Sequence, residues 1–301
     1  MKRLNRDGGF INIEKIKGII ILERPQYSLL ALLCATAGIF LASRENIGNI
    51  DVILLLKVAF LFWFLNCVAH PINDYYDREA DKHGRPNAPI PADLLSLDEV
   101  KAIAIINYVI AIVLIAIIPP NWACRTMAIV GLFFTYSYSA PPFRLAARGI
   151  LGDLTVAAAE SIAFIGGWTA VVGWRYETVS LVVALMIGTL CMVGKTAVDI
   201  VDVKGDKESG RVTLPMQIGI INTFNIAVSF AIFEVLLFLI IYPLDGMNLL
   251  YLPIGLIGLV VTFMALFNLR KDFGEETGRR YTDMLVLPIF IFLIGVIVGS
   301  I

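Results

Sequence analysis

The chain has 301 residues, of which 58% are hydrophobic and 16% are charged, and its mean hydropathy is +0.81. Soluble domains of this size are nearer half apolar and a quarter charged, so the composition excludes an ordinary soluble protein. The formal net charge of −1 indicates no particular partner, and we expect neither a nucleic acid nor an obligate protein partner.

Apolar segments of membrane-spanning length recur along the whole chain. They predict an all-α, polytopic membrane protein with about nine transmembrane helices. The four cysteines lie in or beside these segments without metal-ligand spacing, so buried free thiols are expected. No soluble domain separates the segments, and residues 1–301 are therefore expected to form a single transmembrane domain. The predicted helices lie near residues 24–43, 51–73, 100–118, 122–139, 151–173, 178–199, 221–242, 248–268 and 283–301.

The basic residues are divided unequally between the two ends of these helices. Of the 24 Lys and Arg residues, 20 lie in the N-terminal arm or in the connections after the even-numbered helices. Arg44, Arg125 and Arg175 lie at the opposite ends, and Lys57 lies within a span. By the positive-inside rule, a multi-pass protein of the cell membrane is predicted, with its N-terminus in the cytoplasm and its C-terminus outside.

Two polar segments, at residues 73–91 and 198–217, repeat one pattern. The first reads NDYYDREADKHGRPNAPIP and the second reads VDIVDVKGDKESGRVTLPMQ. Each contains three Asp residues at spacings of three and four, followed by Lys, Gly-Arg and Pro. A single such motif is also typical of a solvated helix end, but its repetition about 125 residues later favours a function. The acids are Asp74, Asp77 and Asp81 in the first motif and Asp199, Asp202 and Asp206 in the second.

The spacing of these acids has a chemical consequence. Positions i, i+3 and i+7 of a helix lie on one stripe, so each triplet is expected to present its carboxylates together. Clustered carboxylates repel one another unless a cation lies between them. All-oxygen ligation favours Mg²⁺ completed by a substrate phosphate, with Ca²⁺ as the alternative. The two triplets and Asn73 thus predict two Mg²⁺ ions that bridge a diphosphate. Basic residues beside them are expected to bind the remaining phosphate oxygens: Lys82, Arg85, Lys207 and Arg211.

The membrane setting narrows the substrate class. Both predicted acidic motifs face the cytoplasm and follow apolar helices, so a substrate with a diphosphate head and a lipid tail fits both environments. An allylic prenyl diphosphate meets this requirement, because metal ions and cationic side chains stabilise the departing diphosphate. An ion-coupled transporter is the alternative from another class. Its ion sites are usually found near the middle of the membrane, whereas these acids lie at one face.

The sequence resembles the UbiA superfamily of intramembrane prenyltransferases. The resemblance rests on both acidic motifs, on the segment ERP at residues 23–25 and on YSYSAPPFRLAARGILGD at residues 136–153. It implies helices around a central cavity, Mg²⁺ as the cofactor and a prenyl diphosphate as a substrate. The chain departs from the usual pattern at Gln26, Tyr27, Ala88 and Asp153, and Ala88 replaces an Arg that is expected to contact phosphate.

Within that superfamily, the segment DVKGDKESGRVTLP most resembles archaeal enzymes that make digeranylgeranylglyceryl phosphate. The resemblance implies transfer of a geranylgeranyl group from geranylgeranyl diphosphate to the glycerol hydroxyl of geranylgeranylglyceryl phosphate. The expected partners are therefore a prenyl diphosphate, a lipid-phosphate acceptor and membrane lipid. Prenylation of an aromatic acceptor, as in the quinone or homogentisate branches, is the alternative.

Further residues are candidates for the same site. Tyr138 is expected near the diphosphate or the allylic cation, while Arg144 and Arg148 are expected to hold phosphate. The alternative is that Tyr138 belongs to an aromatic belt at the membrane interface and that the two arginines only follow the positive-inside rule. Lys195 lies one turn before Asp199 within an apolar segment, which favours a role in diphosphate binding or in ordering that acid. Glu160 is a candidate for the acceptor pocket, with polar packing as the alternative, and Arg24 of the ERP segment is a candidate for substrate binding.

Overall fold

The structure is a computed structural model that describes residues 13–208, 210–245 and 247–301. Regular structure in these residues is helical, as predicted. The helices are α1 (Ile13–Glu23), α2 (Leu29–Ala42), α3 (Val52–Cys67), α4 (Ala69–Gly84), α5 (Leu97–Ile117), α6 (Trp122–Ser139), α7 (Ile150–Val172), α8 (Thr178–Glu208), α9 (Leu214–Ile218), α10 (Ile220–Asp245), α11 (Tyr251–Lys271), α12 (Glu275–Met284) and α13 (Val286–Gly299).

Seven helical segments of the described chain are long and apolar enough to cross a membrane. The chain is thus a multi-pass membrane protein. Helix α2 is a shorter apolar helix, and α6 falls outside the seven, so the predicted number of nine spans stays a prediction. The seven segments are Val52–Glu79, Leu97–Ile117, Ile150–Val172, Thr178–Glu208, Ile220–Ile241, Tyr251–Lys271 and Glu276–Gly299.

The second predicted span is built from two helices that meet at Val68. Helix α3 is apolar and ends at Cys67, and α4 begins at Ala69 and carries the first acidic motif. Pro71 lies in the first turn of α4, where its missing N–H cannot bond to the previous turn. The apolar helix therefore gives way to a polar helix within one continuous membrane segment, which brings acids into the protein interior.

The apolar core is centred on α2 and α7, which pack closely. A side-chain carbon on Gly38 of α2 would collide with the backbone of Phe164 and Trp168 on α7, and one on Gly167 would collide with the backbone of Ala35. Small residues at such contacts let helix backbones approach one another in membranes. Gly38 and Gly167 therefore allow the close approach of α2 and α7, and all four cysteines are buried free thiols, as expected.

The long helix α8 continues past this core and carries the second acidic motif in its last ten residues. It packs against α4, α7 and α10, and also against α12 near its C-terminal end. Helices α4 and α8 thereby bring their acidic ends to the same side of the molecule, next to the connection between α6 and α7. This arrangement forms the candidate site.

Candidate active site

The acids of the first motif lie on the buried face of α4. Asp74, Asp77 and Asp81 are only 1%, 4% and 8% exposed. In the second motif Asp199 and Asp206 are buried, whereas Asp202 lies partly exposed near the rim. The predicted stripes therefore form, and most of their carboxylates are turned away from solvent.

Arg211 joins the two motifs. It follows α8, yet its guanidinium donates a hydrogen bond to Asp77 on α4, and it lies 3.6 Å from Asp206 on α8. Burial alone lowers the pKa of Arg211, but the neighbouring carboxylates, Asp77 first, raise that pKa overall. Arg211 thus stays charged and clamps the ends of α4 and α8 together.

Local backbone geometry explains how Arg211 reaches this position. Gly210 adopts φ +69°, which is accessible to glycine without a side-chain clash, and the N–H of Arg211 then bonds to the carbonyl of Asp206 at 3.0 Å. The next residue, Val212, accepts a hydrogen bond from the N–H of Gly149 at 2.8 Å. The turn after α8 is thereby fixed against the connection between α6 and α7.

Asp74 is held by two arginines from different parts of the chain. Arg24, just after α1, donates to Asp74 Oδ1, and Arg85, just after α4, donates to the same oxygen at 2.7 Å. Arg85 also contacts both oxygens of Asp81, which raises the pKa of Arg85 despite the opposing effect of burial. Burial has the larger effect at Arg24 and lowers its pKa.

The backbone at Arg24 is strained in a way that serves this contact. Its φ is +44°, a left-handed conformation that costs a non-glycine residue on the order of 1–3 kcal/mol. Its N–H nevertheless continues the helical bonding to Ile20 at 3.2 Å, so the residue caps α1 while its side chain turns towards Asp74. Arg24, which is predicted to bind substrate, therefore lies next to the first motif.

Lys195 lies between two buried carboxylates of neighbouring helices. Its ammonium donates to Asp199 Oδ1, one turn further along α8, and lies 3.6 Å from Asp153 Oδ1 on α7. An unpaired charge in such an interior is costly, and a single lysine between two acids lowers this cost for both carboxylates. The geometry agrees with the predicted ordering of Asp199 and identifies Asp153 as the second partner.

The polar end of α6 completes the wall around Asp77. Asn73 donates to Asp77 at 2.7 Å and to Ser139 of α6 at 3.2 Å. Arg144, just after α6, lies 3.6 Å from Asp77, and Tyr138 lines the adjoining cavity. These predicted residues therefore converge on the first motif.

Three predicted phosphate ligands are not brought to the acids. Lys82 pairs with Glu79 at 2.7 Å on an exposed face, Lys207 is exposed, and Arg148 donates to the carbonyl of Pro142 at 2.8 Å. Each lysine directly follows an Asp, and consecutive helix residues point about 100° apart. Helix periodicity alone therefore turns both lysines away from the carboxylates, and their predicted roles stay predictions.

One cation at the site was not predicted from the sequence. Arg279 of α12 donates to Asp202 of the second motif, although 77 residues separate them. In the sequence Arg279 was indistinguishable from the other basic residues expected at the cytoplasmic face. Only the packing of α12 on α8 reveals it.

Two cavities adjoin the acids and share Arg24, Tyr27 and His70 in their walls. The smaller, of about 330 Å³, extends from Arg211 to Glu160, and the larger, of about 850 Å³, runs along the turn that contains Ala88. They place a mainly apolar space beside a strongly charged rim. A substrate with a charged head and an apolar body matches both surfaces.

Glu160 lies at the inner end of the smaller cavity. It is 5% exposed and accepts hydrogen bonds from Asn66 at 3.0 Å and from the Cys34 thiol at 3.7 Å. Asn66 continues the polar chain, because its side-chain oxygen accepts a bond from Ser28 at 3.1 Å. The cavity thus ends in polar groups.

The acids fit a hard divalent cation by their chemistry. Among the described residues, His, Cys, Asp and Glu form no group of three that could hold a metal, and motif carboxylates such as Asp74 and Asp199 are paired with Arg and Lys. Asp74 Oδ2 and Asp199 Oδ2 are nevertheless buried and accept no hydrogen bond there. Buried carboxylate oxygens without donors match the ligands that Mg²⁺ takes from proteins.

Residues 31–294 match the UbiA prenyltransferase family. The chain belongs to this family. It is therefore a membrane prenyltransferase, as the resemblance of its acidic motifs indicated, and the transporter alternative lacks support.

Two archaeal relatives of this chain have the same name. The chain is 29% identical over 287 residues to the digeranylgeranylglyceryl phosphate synthase of Methanococcus aeolicus, covering 95% of this chain and 98% of the relative. It is 28% identical over 289 residues to the synthase of that name from Thermococcus sibiricus, with the same coverage. This chain is thus similar along nearly its whole length to archaeal lipid synthases.

Solved structures share the fold. One described as a digeranylgeranylglyceryl phosphate synthase in membranes has a TM-score of 0.72, with 24% identity and coverage of 96% of this chain and 99% of the other. A UbiA homologue from Archaeoglobus fulgidus, bound to DMAPP and Mg²⁺, also has a TM-score of 0.72, with 18% identity and coverage of 92% and 98%. At these identities the likeness establishes the all-α UbiA fold.

Proposed function

We propose that this prenyltransferase transfers a geranylgeranyl group from geranylgeranyl diphosphate to the glycerol hydroxyl of geranylgeranylglyceryl phosphate. The observation that carries this proposal is the Arg211 clamp, which brings two acidic motifs and several arginines together beside cavities whose surface is mainly apolar. The names of the full-length relatives support the choice of acceptor.

The motif acids are the proposed metal ligands, and residues 1–301 are proposed to act as one domain. Bound Mg²⁺ would supply positive charge that stabilises the departing diphosphate. The A. fulgidus homologue, solved with DMAPP and Mg²⁺, supports this cofactor. The proposed ligands are Asp74, Asp77 and Asp81 with Asn73 on α4, and Asp199, Asp202 and Asp206 on α8.

The arginines at the rim would bind the diphosphate. Arg24, Arg85 and Arg211 already donate to motif carboxylates, and their guanidinium groups can donate to phosphate oxygens with the same fork geometry. Lys195 donates a hydrogen bond to Asp199 and fixes its orientation. These residues hold the leaving group while its negative charge develops.

The proposed reaction requires no strong base. The allylic C–O bond breaks with its electron pair on the diphosphate, and the acceptor hydroxyl oxygen forms the new ether bond. The hydroxyl proton passes to the released diphosphate or to a motif Asp. Tyr138 lines the cavity where its ring can face the allylic cation. A hydroxyl that attacks a carbocation needs little prior deprotonation, so positioning is the main task.

The acceptor has a phosphate of its own, which calls for cations beyond those that serve the diphosphate. Arg144, 3.6 Å from Asp77, and Arg148 are the proposed candidates. Glu160, at the inner end of the smaller cavity, is the proposed polar contact within the acceptor pocket. The concentration of basic residues at this end supports a cytoplasmic site, with the N-terminus inside and the C-terminus outside.

The test is incubation of the purified protein with Mg²⁺, geranylgeranyl diphosphate and each candidate acceptor, followed by product analysis. Alkylation of geranylgeranylglyceryl phosphate is the expected result. Alkylation of homogentisate or another aromatic acceptor instead would assign the chain to the aromatic branch. If no acceptor is alkylated and no diphosphate is released, the proposed function is wrong.

A further inference from the structure

Helix α12 is docked on the helix that carries the second acidic motif. Gly278 of α12 is buried against α8, where an added side-chain carbon would lie 2.7 Å from Val201 Cγ2. Thr282, one turn later, is also buried, and its hydroxyl donates to the carbonyl of Arg279 at 2.9 Å. The contact at Gly278 therefore brings Arg279 next to Asp202, the neighbour of Val201.

The contact between Arg279 and Asp202 uses both ends of the guanidinium. Nη2 donates to Asp202 Oδ1, and Nη1 lies 3.5 Å from Oδ2. Their side chains are 47% and 29% exposed, so the pair lies at the rim of the site. Ion pairs that reach solvent contribute little to stability, typically about 0–1 kcal/mol. The fold therefore does not depend on this pair, and its partners are free to exchange.

The position of the pair is informative because Asp202 is the middle acid of the second motif. Asp199 on the same helix is compensated by Lys195, which is fixed between two buried acids. Arg279 differs from Lys195 because its helix comes from the C-terminal part of the chain and its head group reaches solvent. An arginine whose head group reaches solvent at the rim has the donor geometry to bind a phosphate group.

We propose that Arg279 is a diphosphate-binding residue that pairs with Asp202 only until substrate and metal arrive. This inference rests on the proposed function, since it requires a prenyl diphosphate in the site. A divalent cation on Asp202 competes with the guanidinium for the same carboxylate. The displaced guanidinium then donates to the diphosphate oxygens, so α12 closes the site as a third element beside α4 and α8.

Competition predicts two opposite effects of the substitution Arg279→Gln. Binding of the metal alone becomes tighter, because a competing positive charge is removed from Asp202. Binding of the diphosphate becomes weaker, because a charged donor is lost. A purely structural role for Arg279 predicts no such opposition, since a displaced α12 would weaken both.

The experiment measures each binding step in the full chain without turnover. Mn²⁺ binding is followed by electron paramagnetic resonance, and binding of geranylgeranyl thiodiphosphate, which resists ionisation, is followed by calorimetry in the presence of Mg²⁺. For Arg279→Gln we expect Mn²⁺ to bind about 3-fold more tightly and the thiodiphosphate about 10-fold more weakly. Arg279→Lys should recover part of the thiodiphosphate affinity, because it restores the charge without the fork.

Arg280 supplies the matched control on the same helix. It is exposed and makes no ion pair with another residue that the structure describes. Arg280→Gln should leave both affinities unchanged; an equal loss in this variant would overturn the proposal. Unchanged or weakened Mn²⁺ binding in Arg279→Gln, or unchanged thiodiphosphate binding, would also overturn it. Failure of the proposed function is distinguishable, because the wild-type protein itself would then bind no thiodiphosphate.

Discussion

Arg211, which belongs to the turn after α8, donates a hydrogen bond to Asp77 on α4, 134 residues earlier in the chain. This contact links the two acidic motifs directly. Asp77 is almost fully buried, and it also accepts a bond from Asn73 at 2.7 Å. The pair therefore holds α4 against the end of α8 and places a cation beside the acids.

We expect Arg211→Met to lower the free energy of unfolding by about 3 kcal/mol, because it leaves a buried carboxylate without its main cation. It should also abolish transfer of the prenyl group. Thermal unfolding in detergent and a transfer assay measure these effects. Arg280→Met is the control for both measurements, since Arg280 is exposed on α12. If Asp77→Asn fails to restore part of the stability lost in Arg211→Met, the pairing is not the cause.

Lys195 offers a second test of charge compensation. Lys195→Met leaves Asp153 and Asp199 facing each other without a cation, and we expect a loss of about 3–5 kcal/mol in unfolding free energy. Adding Asp153→Asn removes one of the repelling carboxylates and should recover part of that loss. Unfolding curves of the two variants and the wild type measure both the loss and the recovery of unfolding free energy. Equal stability of the single and double variants would contradict the proposed sharing of Lys195.

The metal proposal predicts that chelation with EDTA stops prenyl transfer and that added Mg²⁺ restores it. Asp74→Ala and Asp202→Ala should each abolish turnover while the protein stays folded, because each removes a proposed carboxylate ligand. Glu79→Ala is the control, since Glu79 lies within the first motif but is 71% exposed and pairs with Lys82. Wild-type activity in either Asp variant would contradict the two-metal assignment.

Glu160 tests the acceptor pocket. Glu160→Gln keeps the size of the side chain but replaces a carboxyl oxygen with an NH2 group at the inner end of the smaller cavity. We expect the KM for the acceptor to rise about 10-fold, the effect of losing one hydrogen bond, while the KM for the prenyl diphosphate stays constant. Glu234→Gln is the control, because Glu234 is also buried but bonds to Thr189 elsewhere in the bundle. An unchanged acceptor KM in Glu160→Gln would exclude Glu160 from the pocket.

The close contact between α2 and α7 predicts a difference between two glycines. Gly38→Ala places a methyl group against the backbone of α7, which cannot rotate away, and should cost about 1–3 kcal/mol of unfolding free energy. Gly131→Ala meets only Ile162 at 3.7 Å, an ordinary contact, and should be nearly neutral. Thermal unfolding of both variants measures the difference. Equal effects would show that the α2–α7 contact is looser than described.

The amino-acid sequence by itself determined the membrane character, the helical class and the acidic stripes on α4 and α8. These features are local, because they depend on runs of apolar residues and on the 3.6-residue period of one helix. The same period explains why Lys82 and Lys207 point away from the acids, so that result was already available from their position next to an Asp. Repetition of the motif also indicated that the two helices act together.

Only the tertiary structure decided which charges meet. The Arg211 contact with Asp77, the position of Lys195 between Asp153 and Asp199, and the Arg279 contact with Asp202 all join different elements or distant parts of the chain. They depend on how closely helices approach, as where Gly278 of α12 packs on α8, and on turns such as the one at Gly210. A basic residue in the sequence has many acids within its reach. Helix packing selects one or two of them, because burial makes an unpaired charge too costly to keep.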